Sequence, residues 1–180
     1  DFIELLEDDN RYKQNLNLTY AVRDGIISHC GEIDENTIKP RAEFIDLSEY
    51  DNPNQFAPYT WVGCVVKIAD KISYIGRDIE DAITLGILDN HLQELYDLLS
   101  FNSSDRTLNN SSIINYLVSD LWENSSPEKG LCFSKEAFEL MNKIKDFNYK
   151  NIYFSERIKH SMKFFDIVIN EIYSTLKETF

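Results

Sequence analysis

The sequence predicts an all-α protein, and three features of the 180-residue chain indicate this class. Residues that interrupt helices are scarce, with six glycines and four prolines. Apolar side chains recur at the three- and four-residue spacing of amphipathic helices. The alternation of apolar and polar residues that is typical of half-buried strands is rare. We therefore expect helices joined by short connections, with one long irregular segment where three of the prolines fall.

The helical elements follow from this periodicity and from stop signals. A helix is expected at 16–29, because Gly31 stands where a helix would end. The proline-containing segment 31–58 is expected to be irregular, and long segments of this kind are often functional or mobile. The strongest helical pattern covers 57–88. Further helices are predicted at 2–8, 89–100, 111–124, 134–149 and 154–179, with a Ser/Asn-rich loop at 101–112.

The predicted core centres on the helix at 57–88. Its apolar stripe consists of four isoleucines: Ile68, Ile72, Ile75 and Ile79. Large aromatic side chains at helical spacing usually pack in a core. This predicts burial of five aromatic residues, namely Trp61, Phe138, Phe164, Phe165 and Tyr173. Cys64 is expected to be a small buried side chain rather than a nucleophile.

Charge and cysteine usage exclude several classes of function. Asp and Glu total 31 against 18 Lys and Arg, for a net charge of −13. Extended binding to nucleic acid or to an anionic membrane surface is therefore not expected. No apolar stretch approaches the roughly 20 residues of a membrane span. The three widely spaced cysteines argue against a disulfide framework and fit a reducing, cytoplasmic location.

A carboxylate–phenol–carboxylate row lies on the helix at 57–88. Asp70, Tyr74 and Asp78 are spaced four residues apart and so share one face. Such a row is usually a solvated face, since charged side chains are mostly exposed. Asp70 nevertheless lies in the most hydrophobic part of the chain, where a carboxylate needs a metal ion, an arginine or backbone donors. On the residues alone, a solvated face of a helical adaptor and a functional row both remain open.

Two segments resemble a known family. IADKISYIGRDIEDA at 68–82 is similar to the xADxIAYxxxDxxDx helix of bacterial dGTP triphosphohydrolases, which are HD-domain proteins. NLNLTYAVRDGIISH at 15–29 resembles the GLNLTxxxxxGIxxH helix that lies upstream in that family. The resemblance implies a partial HD-domain-type helical bundle at 1–105, followed at 106–180 by a helical C-terminal extension. The segment 131–153 also resembles the family's C-terminal helical region.

The resemblance also implies roles for four residues. Asp70 matches a family aspartate that binds one divalent metal ion, and Mn, Mg, Fe, Co or Zn would all suit such a site. Tyr74 matches a tyrosine near the nucleotide sugar, and Asp78 matches the acid that binds the deoxyribose 3′-hydroxyl. Lys71 stands where a cation could face the phosphates. The resemblance assigns no catalytic residue to this chain.

The chain departs from the family pattern at the histidines. None of His29, His91 and His160 is followed by Asp, so the family's His-Asp pair is absent. In the family these ligands precede the NLNLT helix, and the chain begins at Asp1 rather than Met. We therefore expect a middle and C-terminal piece of an enzyme that hydrolyses a deoxynucleoside triphosphate, dGTP by family default, to deoxynucleoside and tripolyphosphate. The piece alone is expected to be inactive and not to retain the metal.

The partners expected from the resemblance are a deoxynucleoside triphosphate and further copies of the same chain, because family enzymes commonly form oligomers. The alternative is a natural non-catalytic helical module for nucleotide sensing or oligomerisation. His29 is expected to cap or pack the end of its helix. His91 and His160 are expected in ordinary surface or capping roles, because nothing at metal-ligand spacing accompanies them.

Overall fold

The computed structural model describes residues 17–31, 36–99 and 110–179, and these residues confirm the all-α class. Six α-helices lie in them: α1 Tyr20–Ser28, α2 Trp61–Thr84, α3 Leu92–Leu99, α4 Asn110–Asn124, α5 Lys135–Asn148 and α6 Glu156–Thr179. A 3-10 turn covers Leu47–Glu49 and a π-helical turn covers Tyr149–Tyr153. The helix predicted at 2–8 and the domain boundary predicted near residue 105 fall outside the described residues.

A two-stranded antiparallel sheet was not predicted. Strand β1, Thr37–Ile38, pairs with β2, Leu131–Cys132. Gly130 precedes β2 with a φ of +107°, and a Cβ atom there would lie 2.7 Å from the carbonyl oxygen of Ile38. Glycine is therefore the residue that permits this close approach. Two-residue strands carry too little alternation for the sequence to indicate them.

The residues divide into two compact units. Among the described residues, the first unit comprises 17–31, 36–72 and 120–134, and the second comprises 73–99, 110–119 and 135–179. Helix α2 contributes to the first unit up to Ile72 and to the second from Ser73. Its predicted apolar stripe is confirmed, because all four isoleucines are buried.

A buried charged pair ties the irregular segment of the first unit to α1. Asp24 is fully buried and accepts hydrogen bonds from Arg41 and from the Tyr59 backbone N–H, the latter at 2.7 Å. Arg41 also donates to the Tyr20 hydroxyl at 2.7 Å and to the Ala57 carbonyl at 2.5 Å. One guanidinium group therefore connects α1 to Arg41 and to Ala57, near the C-terminal end of the irregular segment.

Lys67 holds the C-terminal end of α1 in the same unit. Its side chain is buried at 5% exposure. The ammonium group donates to the carbonyl oxygens of Ser28 at 3.1 Å and Cys30 at 2.6 Å, and to Oδ1 of Asn54 at 2.8 Å. Helix ends leave carbonyl groups without intrahelical partners, so a buried cation at this position satisfies them.

The core of the second unit forms where four helices bury apolar side chains. They are Ile75, Ile79 and Ala82 of α2, Leu95 of α3, Leu117 of α4, and Ala137, Met141, Ile144 and Phe147 of α5. Asn148 at the end of α5 donates to the carbonyl oxygen of Ile75 at 3.0 Å. This bond connects the C-terminus of α5 to the part of α2 that carries the polar row.

The aromatic core prediction was largely wrong. Trp61 is 43% exposed, and Phe164, Phe165 and Tyr173 of α6 are each more than half exposed, while Phe138 is half-buried. In residues 156–177, Ile158 and Val168 are the half-buried side chains and the others are exposed. Periodicity indicates which side chains are apolar but not which element covers them. The burial of Cys64, by contrast, is confirmed.

Candidate functional site

Helix α2 places the predicted row beside its buried isoleucine stripe. Asp70, Tyr74 and Asp78 follow one another at four-residue spacing within the continuous helix Trp61–Thr84. Each step along the row is about 6 Å, given the rise of 1.5 Å per residue. Asp70 and Asp78 are half-buried, whereas Tyr74 is 56% exposed. The row is therefore neither a fully solvated face nor part of the core.

Asp70 and Lys71 are brought together. The Lys71 Nζ atom lies 3.6 Å from Oδ2 of Asp70, and the two side chains are 21% and 25% exposed. A carboxylate in this position keeps part of its surface accessible while a cation stands beside it. Such a pair can bind a cation through the carboxylate and an anion through the ammonium group.

The next cation along the helix, Arg77, is engaged differently. Its guanidinium group lies 3.3 Å from Asp81 and 3.8 Å from Glu80, and all three side chains are at least 36% exposed. Asp81 thus continues the predicted row as an exposed partner of Arg77. These surface ion pairs favour a solvated role for this end of the helix.

Asp78 has a partner that the sequence did not indicate. The hydroxyl of Tyr153 donates a hydrogen bond to the Asp78 carboxylate, and both side chains are half-buried. Tyr153 ends the π-helical turn after α5, and the Tyr149 ring stands edge-on to it at 5.2 Å. Single π-helical turns occur often at functional sites. The contact holds the second carboxylate of the row in one orientation.

The sequence held a partial signal for Tyr153. The segment that resembles the family's C-terminal region ends at this residue, and Tyr149 and Tyr153 share a four-residue spacing. Periodicity, however, could not place a side chain against Asp78, which lies 75 residues earlier. The contact forms because the end of α5 and the turn after it pack against α2.

A metal site is not complete in the described ranges 17–31, 36–99 and 110–179. Asp70 is a hard oxygen ligand of the type that Mg, Mn or Zn accept. Within those ranges no group of three or more His, Cys, Asp or Glu side chains could hold a metal ion. One carboxylate does not make a metal site, so the ligand role that the resemblance implies for Asp70 stays a prediction.

The three histidines lie at helix ends or on helix surfaces. Nδ1 of His29 is 2.5 Å from the carbonyl oxygen of Ile26, in the last turn of α1. Nδ1 of His160 is 2.7 Å from the carbonyl oxygen of Glu156, and that of His91 is 3.4 Å from the carboxylate of Glu94. These contacts agree with the capping and surface roles predicted for them.

The fold and the row together define an all-α protein in which one helix carries two half-buried carboxylates and an exposed phenol. No helix in the described part of the chain has the length and hydropathy needed to cross a membrane. No family model and no solved structure matches the chain.

Comparison with curated proteins finds several that this chain is similar to. It is 29% identical over 161 residues to a deoxyguanosinetriphosphate triphosphohydrolase-like protein of Clostridium perfringens, covering 87% of this chain and 40% of the relative. The proteins of the same name from Caldanaerobacter subterraneus and Rickettsia felis are 27% and 31% identical, over 95% and 90% of this chain. The chain spans 41% and 45% of those two relatives. The resemblance predicted from the sequence is thus confirmed.

Proposed function

We propose that this chain is part of a metal-dependent triphosphohydrolase that converts dGTP to deoxyguanosine and tripolyphosphate. The observation that carries the proposal is the similarity to deoxyguanosinetriphosphate triphosphohydrolase-like proteins, which extends over 87–95% of the chain. It includes the helix that holds Asp70, Tyr74 and Asp78. Because the chain spans less than half of these relatives, the remaining parts of the site belong to a longer protein.

Asp70 is proposed as one ligand of the divalent metal. When bound, such an ion supplies a Lewis acid that polarises a phosphoryl oxygen or activates water. The described residues do not complete the coordination shell, so the other ligands come from the rest of the protein. The half-buried setting of Asp70 supports this role, because a carboxylate that is partly removed from water gains more from a bound cation.

The neighbouring side chains are proposed to hold the nucleotide. Lys71 directs its ammonium group to the phosphates, and its position next to Asp70 places both groups at one end of the row. Tyr74 lies beside the sugar, with an exposed ring that a ligand could cover. Asp78 accepts a hydrogen bond from the deoxyribose 3′-hydroxyl while Tyr153 fixes its carboxylate.

The sugar contact can be tested by removing either partner. In the protein encoded by the complete reading frame, we expect Asp78→Asn to weaken dGTP binding about 10- to 100-fold, the loss expected for a hydrogen bond to a charged group. The preference of the variant for dGTP over 2′,3′-dideoxyGTP should be smaller than that of the unmodified protein, because an amide oxygen accepts a weaker hydrogen bond than a carboxylate does. Asp81→Asn, an exposed carboxylate on the same helix, is the matched control. Unchanged preference for the 3′-hydroxyl in Asp78→Asn would contradict the assignment.

The 180-residue chain alone is proposed to be inactive. One carboxylate cannot hold a catalytic divalent ion as a four-ligand site does. Tripolyphosphate release from dGTP with Mn or Mg should therefore stay at the uncatalysed background. Turnover at an ordinary enzymatic rate of about 1 per second or faster would refute this.

A non-catalytic helical module is the second candidate function. The exposed apolar side chains of α6 favour it, because such a surface suits assembly with another polypeptide. The two candidates predict different behaviour of the complete reading-frame product. Hydrolysis of dGTP supports the enzyme, whereas nucleotide binding or self-association without hydrolysis supports the module.

A further inference from the structure

Two asparagine side chains are buried at the junction between α5 and the π-helical turn. Asn148, the last residue of α5, is 1% exposed, and Asn151 within the turn is 5% exposed. Asparagine favours caps and turns over helix interiors, because its amide competes with the backbone for hydrogen bonds. Asn148 nevertheless makes no capping bond at the start of the turn. Two buried amides three residues apart therefore need partners within the fold.

Each amide has one polar atom that makes no hydrogen bond to the described residues. Nδ2 of Asn148 donates to the carbonyl oxygen of Ile75 at 3.0 Å, but Oδ1 of the same side chain accepts no hydrogen bond. Nδ2 of Asn151 likewise donates none. Such an atom is costly in a protein interior, because nothing replaces the water that it loses on burial. One acceptor and one donor that both require a partner thus lie three residues apart.

We propose that one buried water molecule binds between Asn148 and Asn151. Water donates to the oxygen of the first amide and accepts from the N–H of the second, whereas a cation would suit only the oxygen and an anion only the N–H. A bridging water joins two atoms that are about 5–6 Å apart, which is two hydrogen-bond lengths. Cβ atoms three residues apart on a helix are separated by about the same distance. Buried waters typically satisfy polar groups of this kind.

The local backbone favours a water molecule at this place. Regular α-helix ends at Asn148, and the chain continues at Tyr149–Tyr153 as a single π-helical turn. Insertion of water into the backbone hydrogen-bond ladder is a recognised cause of such irregularities. Asn151 lies inside this turn, two residues before Tyr153, whose hydroxyl donates to Asp78. The water therefore connects the end of α5 to the turn that orients Tyr153.

A crystal structure of the full chain, at a resolution that shows ordered water, tests the site directly. We expect density for one water molecule within about 3.2 Å of both Oδ1 of Asn148 and Nδ2 of Asn151. A direct hydrogen bond between the two amides would overturn the proposal. So would a space between them without density, or side chains that reach bulk solvent.

Oxygen-17 relaxation dispersion of the solvent counts long-lived internal waters in solution and provides the second test. Asn151→Leu keeps roughly the size of the side chain but removes the donor, so this variant should lose one such water relative to the unmodified chain. Asn142→Leu, which alters a half-buried amide on α5, is the matched control and should lose none. Equal counts in Asn151→Leu and the unmodified chain, or the same loss in the control, would contradict the site. Helical circular dichroism verifies that each variant folds, and the crystal structure needs no variant.

Discussion

The buried carboxylate of Asp24 shows how single residues stabilise the first unit. Burial alone would lower the pKa of the Arg41 guanidinium, but its hydrogen bonds to Asp24 and Tyr20 raise that pKa above the ordinary value. The Arg41 guanidinium therefore stays in its charged form beside Asp24. Because both charges are removed from water, each depends on the other for compensation.

Asp24→Asn should for this reason be strongly destabilising. The change keeps the shape of the side chain but leaves the Arg41 charge buried without its anion, so we expect the free energy of unfolding to fall by about 3–5 kcal/mol. Urea denaturation measures this fall in the free energy of unfolding. Arg77→Gln removes an exposed ion pair and should change the same quantity by under about 1 kcal/mol. Equal effects of the two changes would show that the Asp24 pair is not buried as described.

The buried thiol of Cys64 should make the free energy of unfolding depend on pH. Burial raises the pKa of its thiol from 9.0 to about 11. In the unfolded chain the thiol ionises near pH 9, whereas the folded protein retains the proton until about pH 11. The unfolded state alone gains from deprotonation in this window, so the free energy of unfolding falls as pH rises through it.

Comparison of cysteine variants measures how much the Cys64 thiol contributes to this pH dependence of the free energy of unfolding. The fall in the free energy of unfolding between pH 9 and pH 11 should be smaller in Cys64→Ala than in the unmodified chain. Cys30→Ala, which alters an exposed thiol, should leave the fall unchanged. If Cys64→Ala and the unmodified chain show the same fall, the thiol is not protected by burial.

The family resemblance, rather than residue types and spacing alone, selected four candidate site residues, and it did not indicate their environment. Asp70, Lys71, Tyr74 and Asp78 were selected because the helix that carries them resembles a family motif. Tyr153 could not be selected, because its contact with Asp78 depends on the packing of two elements far apart in the sequence. Lys67 was missed for the same reason, since its three acceptors belong to other segments.

At the scale of elements, long helices were predictable and short elements were not. The helix predicted at 57–88 is observed at Trp61–Thr84, and that predicted at 154–179 is observed at Glu156–Thr179. Many turns contribute to the periodicity of such helices, so local exceptions do not hide it. Strand β1 and the π-helical turn each span five residues or fewer, and their geometry depends on partners elsewhere.

Replacing each of two helical glycines by alanine should change the free energy of unfolding in opposite directions. A Cβ atom on Gly76 would lie 3.1 Å from Cα of Asn110, and closer still to its side-chain oxygen. Gly76→Ala should therefore lower the free energy of unfolding by about 1–3 kcal/mol through overpacking. A Cβ atom on Gly25 would meet only Gly63, at 3.9 Å, so Gly25→Ala should raise the free energy of unfolding by about 0.5–1 kcal/mol.

Thermal or urea denaturation of the two glycine variants measures the change in the free energy of unfolding that each substitution causes. The helix propensity of alanine acts in the same direction at both positions. Only the contact with Asn110 distinguishes them, so stabilisation of both variants would mean that α4 does not approach α2 at Gly76.

At the scale of the whole molecule, the sequence indicated the relatives but not which apolar surfaces are covered. The all-α class and the family resemblance followed from patterns within the chain. The exposure of Phe164, Phe165 and Tyr173 did not, because burial depends on all polypeptide that packs against a helix. The chain spans 40–45% of the length of the relatives named above.

The proposed triphosphohydrolase activity depends most directly on Asp70. The decisive measurement is the rate of tripolyphosphate release from dGTP by the complete reading-frame product, compared between Asp70→Asn and Asp81→Asn. We expect Asp70→Asn to lower kcat at least about 100-fold, because loss of a metal ligand removes several kcal/mol of charge stabilisation. Asp81→Asn should stay within about threefold of the unmodified protein. An unchanged rate in Asp70→Asn would contradict the proposal.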